Sequence, residues 1–184
     1  MSNDKPVARY KLVILGDGGV GKTTLTQRYL TGVFDSGTEM TIGFDFYVKK
    51  LNIAQKFIGL QIWDFAGEKR FRQLLRDVIW DAKGAVFMYD ITRFTTFKNL
   101  NEWLDLYQKV NEEKEQNVPA ILVGSKIDLE EYRAVTREDG ENMKRRWDLL
   151  DFIECSSKTG QNVEEVFRKI TKIMMFLDGL IKEY

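Results

Sequence analysis

The sequence predicts an α/β fold: a six-stranded, mostly parallel sheet with one antiparallel hairpin at an edge and helices on both faces. Three observations predict it. Short apolar runs alternate with amphipathic stretches along the 184 residues, as in strands joined by crossover helices. A glycine-rich turn at residues 16–23 stands between the first apolar run and the first helical stretch. One linker, Asn52-Ile53-Ala54-Gln55, is too short for a crossover, so the runs that it joins must pair antiparallel.

The strand-like runs are residues 10–15, 44–51, 56–63, 85–89, 120–123 and 152–153. Helical stretches fall at 21–30, 70–80, 95–110, 136–146 and 163–181, and the chain reads as a single domain over 1–184. The last helix is the clearest. Val163, Val166, Phe167, Ile170, Ile173, Met174, Leu177, Leu180 and Ile181 recur every three or four residues, a stripe expected to pack on the sheet. Asn162 stands at its N-cap position with Glu165 three residues on, the pattern of a capping box.

Composition excludes several chemistries. The chain has no His, which removes imidazole acid–base catalysis and His-ligated metals. Its one Cys, Cys155, allows no internal disulfide and no Cys-based metal cluster. Lys plus Arg (28) balances Asp plus Glu (28), so no general attraction to nucleic acid or an anionic membrane is expected. The polar start lacks an apolar signal core, Ser2 excludes N-myristoylation, and the last residues carry no Cys for prenylation. These points predict a soluble, cytoplasmic monomer with no direct lipid anchor.

Gly16-Asp17-Gly18-Gly19-Val20-Gly21-Lys22-Thr23 fits G-x-x-x-x-G-K-[ST], following an apolar strand and opening a helix. Closely spaced glycines let backbone N–H groups of Gly18, Gly19, Val20 and Gly21 turn around phosphate oxygens, and the helix N-terminus adds positive character. Lys22 neutralises β- and γ-phosphates, and Thr23 offers a hydroxyl to Mg²⁺, with Thr24 next in line. Leu60-Gln61-Ile62-Trp63-Asp64 is an apolar strand ending in a carboxylate, which suits a second Mg²⁺ element. This is the phosphate-loop NTPase pattern. A phosphate-loop ATPase or small kinase is a competing reading.

Further segments occur in a familiar order: Thr41-Ile42-Gly43-Phe44-Asp45-Phe46, Trp63-Asp64-Phe65-Ala66-Gly67, Arg70-Phe71-Arg72, Tyr89-Asp90-Ile91-Thr92, Gly124-Ser125-Lys126-Ile127-Asp128 and Glu154-Cys155-Ser156-Ser157-Lys158-Thr159-Gly160. Together with the phosphate loop they cover nearly the whole chain, which resembles the small GTPases of the Ras superfamily, closest to a Rab-like branch that is divergent, of prokaryotic or archaeal type. The resemblance implies GTP and GDP as ligands with Mg²⁺. It implies that Thr41 ligates the metal and senses the γ-phosphate, that Gly67 contacts the γ-phosphate, and that Phe34 meets the guanine edge unless it merely packs after the first helix. Residues 32–40 and 67–77 become switch segments that meet protein regulators and effectors.

Base choice rests on Asp128. An ionised carboxylate only accepts hydrogen bonds, which matches the paired N1–H and N2–H₂ of guanine; adenine would leave it unpaired. That argues against the ATPase reading. By the same resemblance Lys126 packs over the base, and Ser156, Ser157 and Lys158 form the turn that meets its O6.

Departures from the pattern shape the expectations. Glu68 stands where the family has Gln. Three readings are open: slow intrinsic hydrolysis dependent on a partner, a general base, or a side chain turned to solvent. If hydrolysis is negligible, the chain is a GTP-loaded scaffold. Ser125 replaces Asn and lacks the amide, so a weaker tie from phosphate loop to base site, and weaker nucleotide binding, are expected. Phe65 replaces a small polar residue, and Val78-Ile79-Trp80-Asp81 replaces an aromatic-rich helix end. Arg70, Arg72 and Arg76 are expected to be solvated or to face a partner. Phe46 and Trp63 are expected either to form an aromatic partner patch or to pack on the sheet.

Overall fold

The computed structural model describes residues 5–37, 40–68 and 74–184. The predicted sheet is present. Its strands are β1 (Ala8–Leu15), β2 (Phe44–Ile53), β3 (Lys56–Phe65), β4 (Gly84–Asp90), β5 (Ala120–Ser125) and β6 (Asp151–Cys155), in the spatial order β2-β3-β1-β4-β5-β6. Among the described residues only β2 and β3 pair antiparallel, with Phe44 opposite Phe65 and Ile53 opposite Lys56. Ala54 and Gln55 turn this hairpin with φ of 49° and 61°, the left-handed pair that a two-residue hairpin turn requires.

The helices are α1 (Lys22–Thr31), α2 (Leu75–Trp80), α3 (Phe94–Glu113), α4 (Arg137–Arg146) and α5 (Val163–Leu177). Side chains alternate across the strands, so β1 feeds Leu12 and Ile14 to one core and Val13 and Leu15 to the other. The first core lies under α1 and α5, where Phe167 stacks on Tyr29 with ring centroids 3.9 Å apart. The second lies under α2 and α3, around Phe65, Phe87 and Trp103. The carboxyl ends of the parallel strands therefore point toward one edge, where ligands of such sheets bind.

Several local expectations are corrected. Asn162 is the N-cap residue of α5, as expected, but makes no side-chain cap and no capping box. It sits in a left-handed conformation (φ 57°) and its Nδ2 donates to the Glu154 carbonyl at 2.8 Å, tying β6 to the start of α5. The capping box occurs instead at α4, between Thr136 and Asp139. The last helix ends at Leu177 rather than Ile181. Gly179 takes φ +69° and the Leu180 N–H returns to the Met175 carbonyl at 2.8 Å, a helix stop that only Gly adopts cheaply. Leu180 and Ile181 still pack on the core from outside the helix. A 3₁₀ helix at Ile127–Tyr132 has no counterpart in the periodicity. Of the predicted 70–80 helix, Arg70, Phe71 and Arg72 lie outside the described residues. Arg76 is exposed, as expected, and its Nε and Nη2 donate to one Glu113 carboxylate oxygen at 3.0 and 2.7 Å.

Candidate functional site

The turn after β1 is built on close backbone approach. Gly16 has φ +143°, and a Cβ there would meet the Met88 carbonyl at 2.2 Å. The chain then enters α1 through Gly21, also left-handed, with no side-chain cap and no acidic residue in the first turn. The first helical N–H groups are thus left without a carboxylate, the arrangement that suits an anion. Gly18, Gly19 and Val20 complete the turn.

Lys22 opens α1 and folds back over it. Its Nζ donates to the carbonyls of Gly16 and Asp17, both at 2.9 Å, and the residue is 6% exposed. Burial lowers its ammonium to about 8, opposed by Asp64 and Asp17 and aided by Arg93. A desolvated cation that meets only carbonyls in a helix N-terminus is poised for an anionic ligand. Asp17 does not compete for it directly, because its carboxylate accepts from Asn99 Nδ2 at 2.6 Å and Trp103 Nε1 at 2.9 Å on α3.

Three oxygen donors converge beside Lys22. Thr23 Oγ1 lies 2.8 Å from Thr41 Oγ1 and donates to Asp64 Oδ2 at 2.5 Å; Thr41 Oγ1 lies 3.4 Å from the same oxygen. Asp64 is fully buried and its Oδ1 has no hydrogen-bond partner among the described residues. Burial pushes its carboxyl up, against the pull of Thr23 and Lys22. Among the described residues no group of three His, Cys, Asp or Glu could hold a metal. Two hydroxyls and an orphaned carboxylate oxygen instead offer the hard donors that fit Mg²⁺, which takes its other ligands from water and phosphate.

Gly67 follows β3 and touches the phosphate loop. A Cβ there would lie 2.2 Å from the Asp17 carbonyl carbon and from the Gly18 nitrogen. Glu68, half-buried, lines the same cleft of about 100 Å³ with Lys22, Thr23, Thr24, Thr41 and Gly67. Clefts of about 740 and 760 Å³ elsewhere lack these convergent groups.

The base-side residues gather at the ends of β5 and β6. Lys126 takes a left-handed conformation (φ 67°), and its Nζ reaches the Gly19 carbonyl at 2.9 Å. Asp128 Oδ1 accepts from Ser156 Oγ at 2.6 Å, which orients the carboxylate. Ser157 and Lys158 lie on the following turn, closed by the Gly160 N–H on the Ser156 carbonyl at 2.9 Å. Phe34 is half-buried after α1 and makes no ring–ring contact among the described residues. Ser125 ties the phosphate loop through its hydroxyl rather than an amide. Its Oγ lies 2.7 Å from both the Val20 and Tyr89 carbonyls, although its single hydrogen serves one of them at a time.

Other partnerships escaped the sequence. Asp90, 1% exposed, holds both Arg93 Nε at 3.0 Å and Lys126 Nζ at 2.8 Å. Glu154 binds Arg133 at 2.6 Å and Arg137 at 3.3 Å. Arg93 is only three residues from Asp90, but no periodicity joins Lys126 to Asp90 or Arg133 and Arg137 to Glu154; the only signal was that Asp90 and Glu154 fall in matched segments. Phe65 is fully buried, its ring edge-on to Trp103 at 6.3 Å. Phe44 and Phe46 are exposed at 4.8 and 5.4 Å from the Trp63 ring, so sheet packing accounts for Trp63 and not for its two neighbours.

The sheet and this turn define a phosphate-loop nucleotide-binding protein. The model of the Ras family matches residues 11–176. The chain belongs to the Ras family, the GTP-binding switch GTPases.

Proposed function

We propose that the chain hydrolyses GTP to GDP and phosphate with Mg²⁺, slowly on its own, and signals through its switch segments. The observation that carries this reading is the placement of buried Lys22 beside the Thr23, Thr41 and Asp64 oxygens, which lie within 2.5–3.4 Å of one another.

In this reading Lys22 and the loop N–H groups bind the β- and γ-phosphates and hold developing charge by position alone. Thr23 and Thr41 would hold Mg²⁺ with support from Asp64; the ion, when bound, neutralises phosphate charge. Gly67 gives its N–H to the γ-phosphate. Asp128 selects guanine, with Lys126 along the base and Ser156, Ser157 and Lys158 closing its O6 side. Glu68 lacks the amide that would orient water and brings a negative charge near the γ-phosphate, so intrinsic turnover is slow and an Arg supplied by a partner completes the site. The exposed Phe44 and Phe46 with Trp63 form a patch for a protein partner. The reading carries with it a Rab-like, cytoplasmic monomer that does not bind nucleic acid. Among the described residues no helix is long and apolar enough to cross a membrane.

A second reading, a GTP-loaded scaffold with little hydrolysis, is favoured by the placement of Glu68 in the cleft. Chromatography of the nucleotide released on denaturing the purified protein separates them. GDP supports the switch, GTP the scaffold, and an adenine nucleotide overturns the assignment of Asp128.

A further inference from the structure

Three consecutive carbonyls of the phosphate loop are each held from outside. Arg93 Nη2 donates to Gly18 O at 3.2 Å, Lys126 Nζ to Gly19 O at 2.9 Å, and Ser125 Oγ lies 2.7 Å from Val20 O. In a trans peptide the C=O and the next N–H point in opposite directions. Holding these carbonyls outward therefore turns the N–H groups of Gly19, Val20 and Gly21 inward, toward the phosphate position.

We propose that Arg93 is a positioning residue for nucleotide retention, a cation on the outer edge of the phosphate loop that fixes the Gly18–Gly19 peptide and slows the release of guanine nucleotide. This rests on the GTPase reading of the loop. Arg93 stands at the N-cap position of α3, extended at φ −127° and ψ 93°, and its side chain makes no cap there. Its side chain runs to the loop instead. A Cβ on Gly19 would sit 3.4 Å from Arg93 Nη2, which places the guanidinium against the loop itself.

The anchor is Asp90. Its Oδ1 accepts from the N–H and the hydroxyl of Thr92 at 2.9 and 2.7 Å, and its Oδ2 meets Arg93 and Lys126. One carboxylate balances only one of those two cations, so the outer edge of the loop keeps a surplus positive charge. The arrangement also answers the loss of the Asn amide at position 125. Ser125 has one hydrogen for two carbonyls, and Arg93 adds a tie one peptide beyond Lys126.

The test is release of a fluorescent methylanthraniloyl-GDP, chased with excess GDP, from the wild type, Arg93→Met and Arg93→Lys. Methionine keeps an apolar stem and removes charge and donor; Arg93 is 44% exposed, so neither change disturbs a core. Arg93→Met is expected to release roughly fivefold faster at about 0.05 M salt, the gap narrowing near 0.5 M as screening grows. Arg93→Lys keeps the charge but cannot bridge Asp90 and Gly18 O at once, so its release is expected to fall between Arg93→Met and the wild type. A purely structural role would accelerate release equally at both salt concentrations without rescue by lysine. That result, or wild-type release from Arg93→Met, overturns the proposal alone. A wild type that takes up no guanine nucleotide overturns the GTPase reading, and this inference with it.

Discussion

Trp103, on α3, donates its indole N–H to the Asp17 carboxylate of the phosphate loop across 2.9 Å. The same indole meets Phe65 edge-on at the end of β3, so one buried side chain holds the helix, the loop and the strand that carries Asp64. Replacing it by Phe removes a hydrogen bond to a charged group. Trp103→Phe is expected to cost about 2 kcal/mol in urea unfolding, with nucleotide release accelerated as Asp17 loosens. Unchanged stability would show that Asn99 alone suffices to hold Asp17.

Gly67 lies so close to the phosphate loop that one methyl group cannot enter. A Cβ at 2.2 Å from Asp17 and Gly18 backbone atoms forces the two segments apart, because neither is the end of a flexible side chain. Gly67→Ala should still bind methylanthraniloyl-GDP while its single-turnover GTP hydrolysis falls at least roughly tenfold, the scale of a lost transition-state contact. Hydrolysis at the wild-type rate would remove Gly67 from the γ-phosphate site.

Glu68 decides between the three readings of its position. Under the charge-repulsion reading, Glu68→Gln supplies an amide and removes a negative charge, and single-turnover hydrolysis rises by roughly tenfold. A fall would instead identify Glu68 as the general base. An unchanged rate would leave water positioned by other groups and Glu68 turned to solvent.

Asp90 should leave a signature in acid. Burial alone would raise its carboxyl, but Lys126 and Thr92 outweigh burial and hold it below the ordinary 3.8. The unfolded chain therefore binds the proton more readily, so the contribution of Asp90 is present above that value and fades as pH falls through the folded one. Urea unfolding is expected to show a shallower loss of stability below about pH 4 in Asp90→Asn than in the wild type. Parallel acid limbs would mean that other carboxylates carry the effect.

What could be read without the fold was local or repetitive. The apolar runs, the short 52–55 linker and the helical stripe from Val163 are patterns of period two or four, and they placed the sheet, the edge hairpin and the helices. The phosphate loop was legible because its chemistry needs contiguous residues. The capping box at Asn162 and the end of α5 failed for the opposite reason. Both turned on a single backbone conformation, left-handed at Asn162 and Gly179, that side-chain identity alone did not dictate.

The sequence by itself determined the class of site: glycines, Lys22 and Thr23 in one short segment, and Asp128 and Ser156 in segments of matching order. Only the tertiary structure decided how that site is supported. Ser125 and Val20 are 105 residues apart in sequence, Lys126 and Gly19 are 107, and Arg93 and Gly18 are 75. Packing the strands side by side brings their carboxyl ends to one edge, and there side chains with no sequence relation come within hydrogen-bonding distance of the same three carbonyls. A hydrogen bond acts over about 3 Å whatever the length of chain between its partners, so no pattern along the chain encodes it.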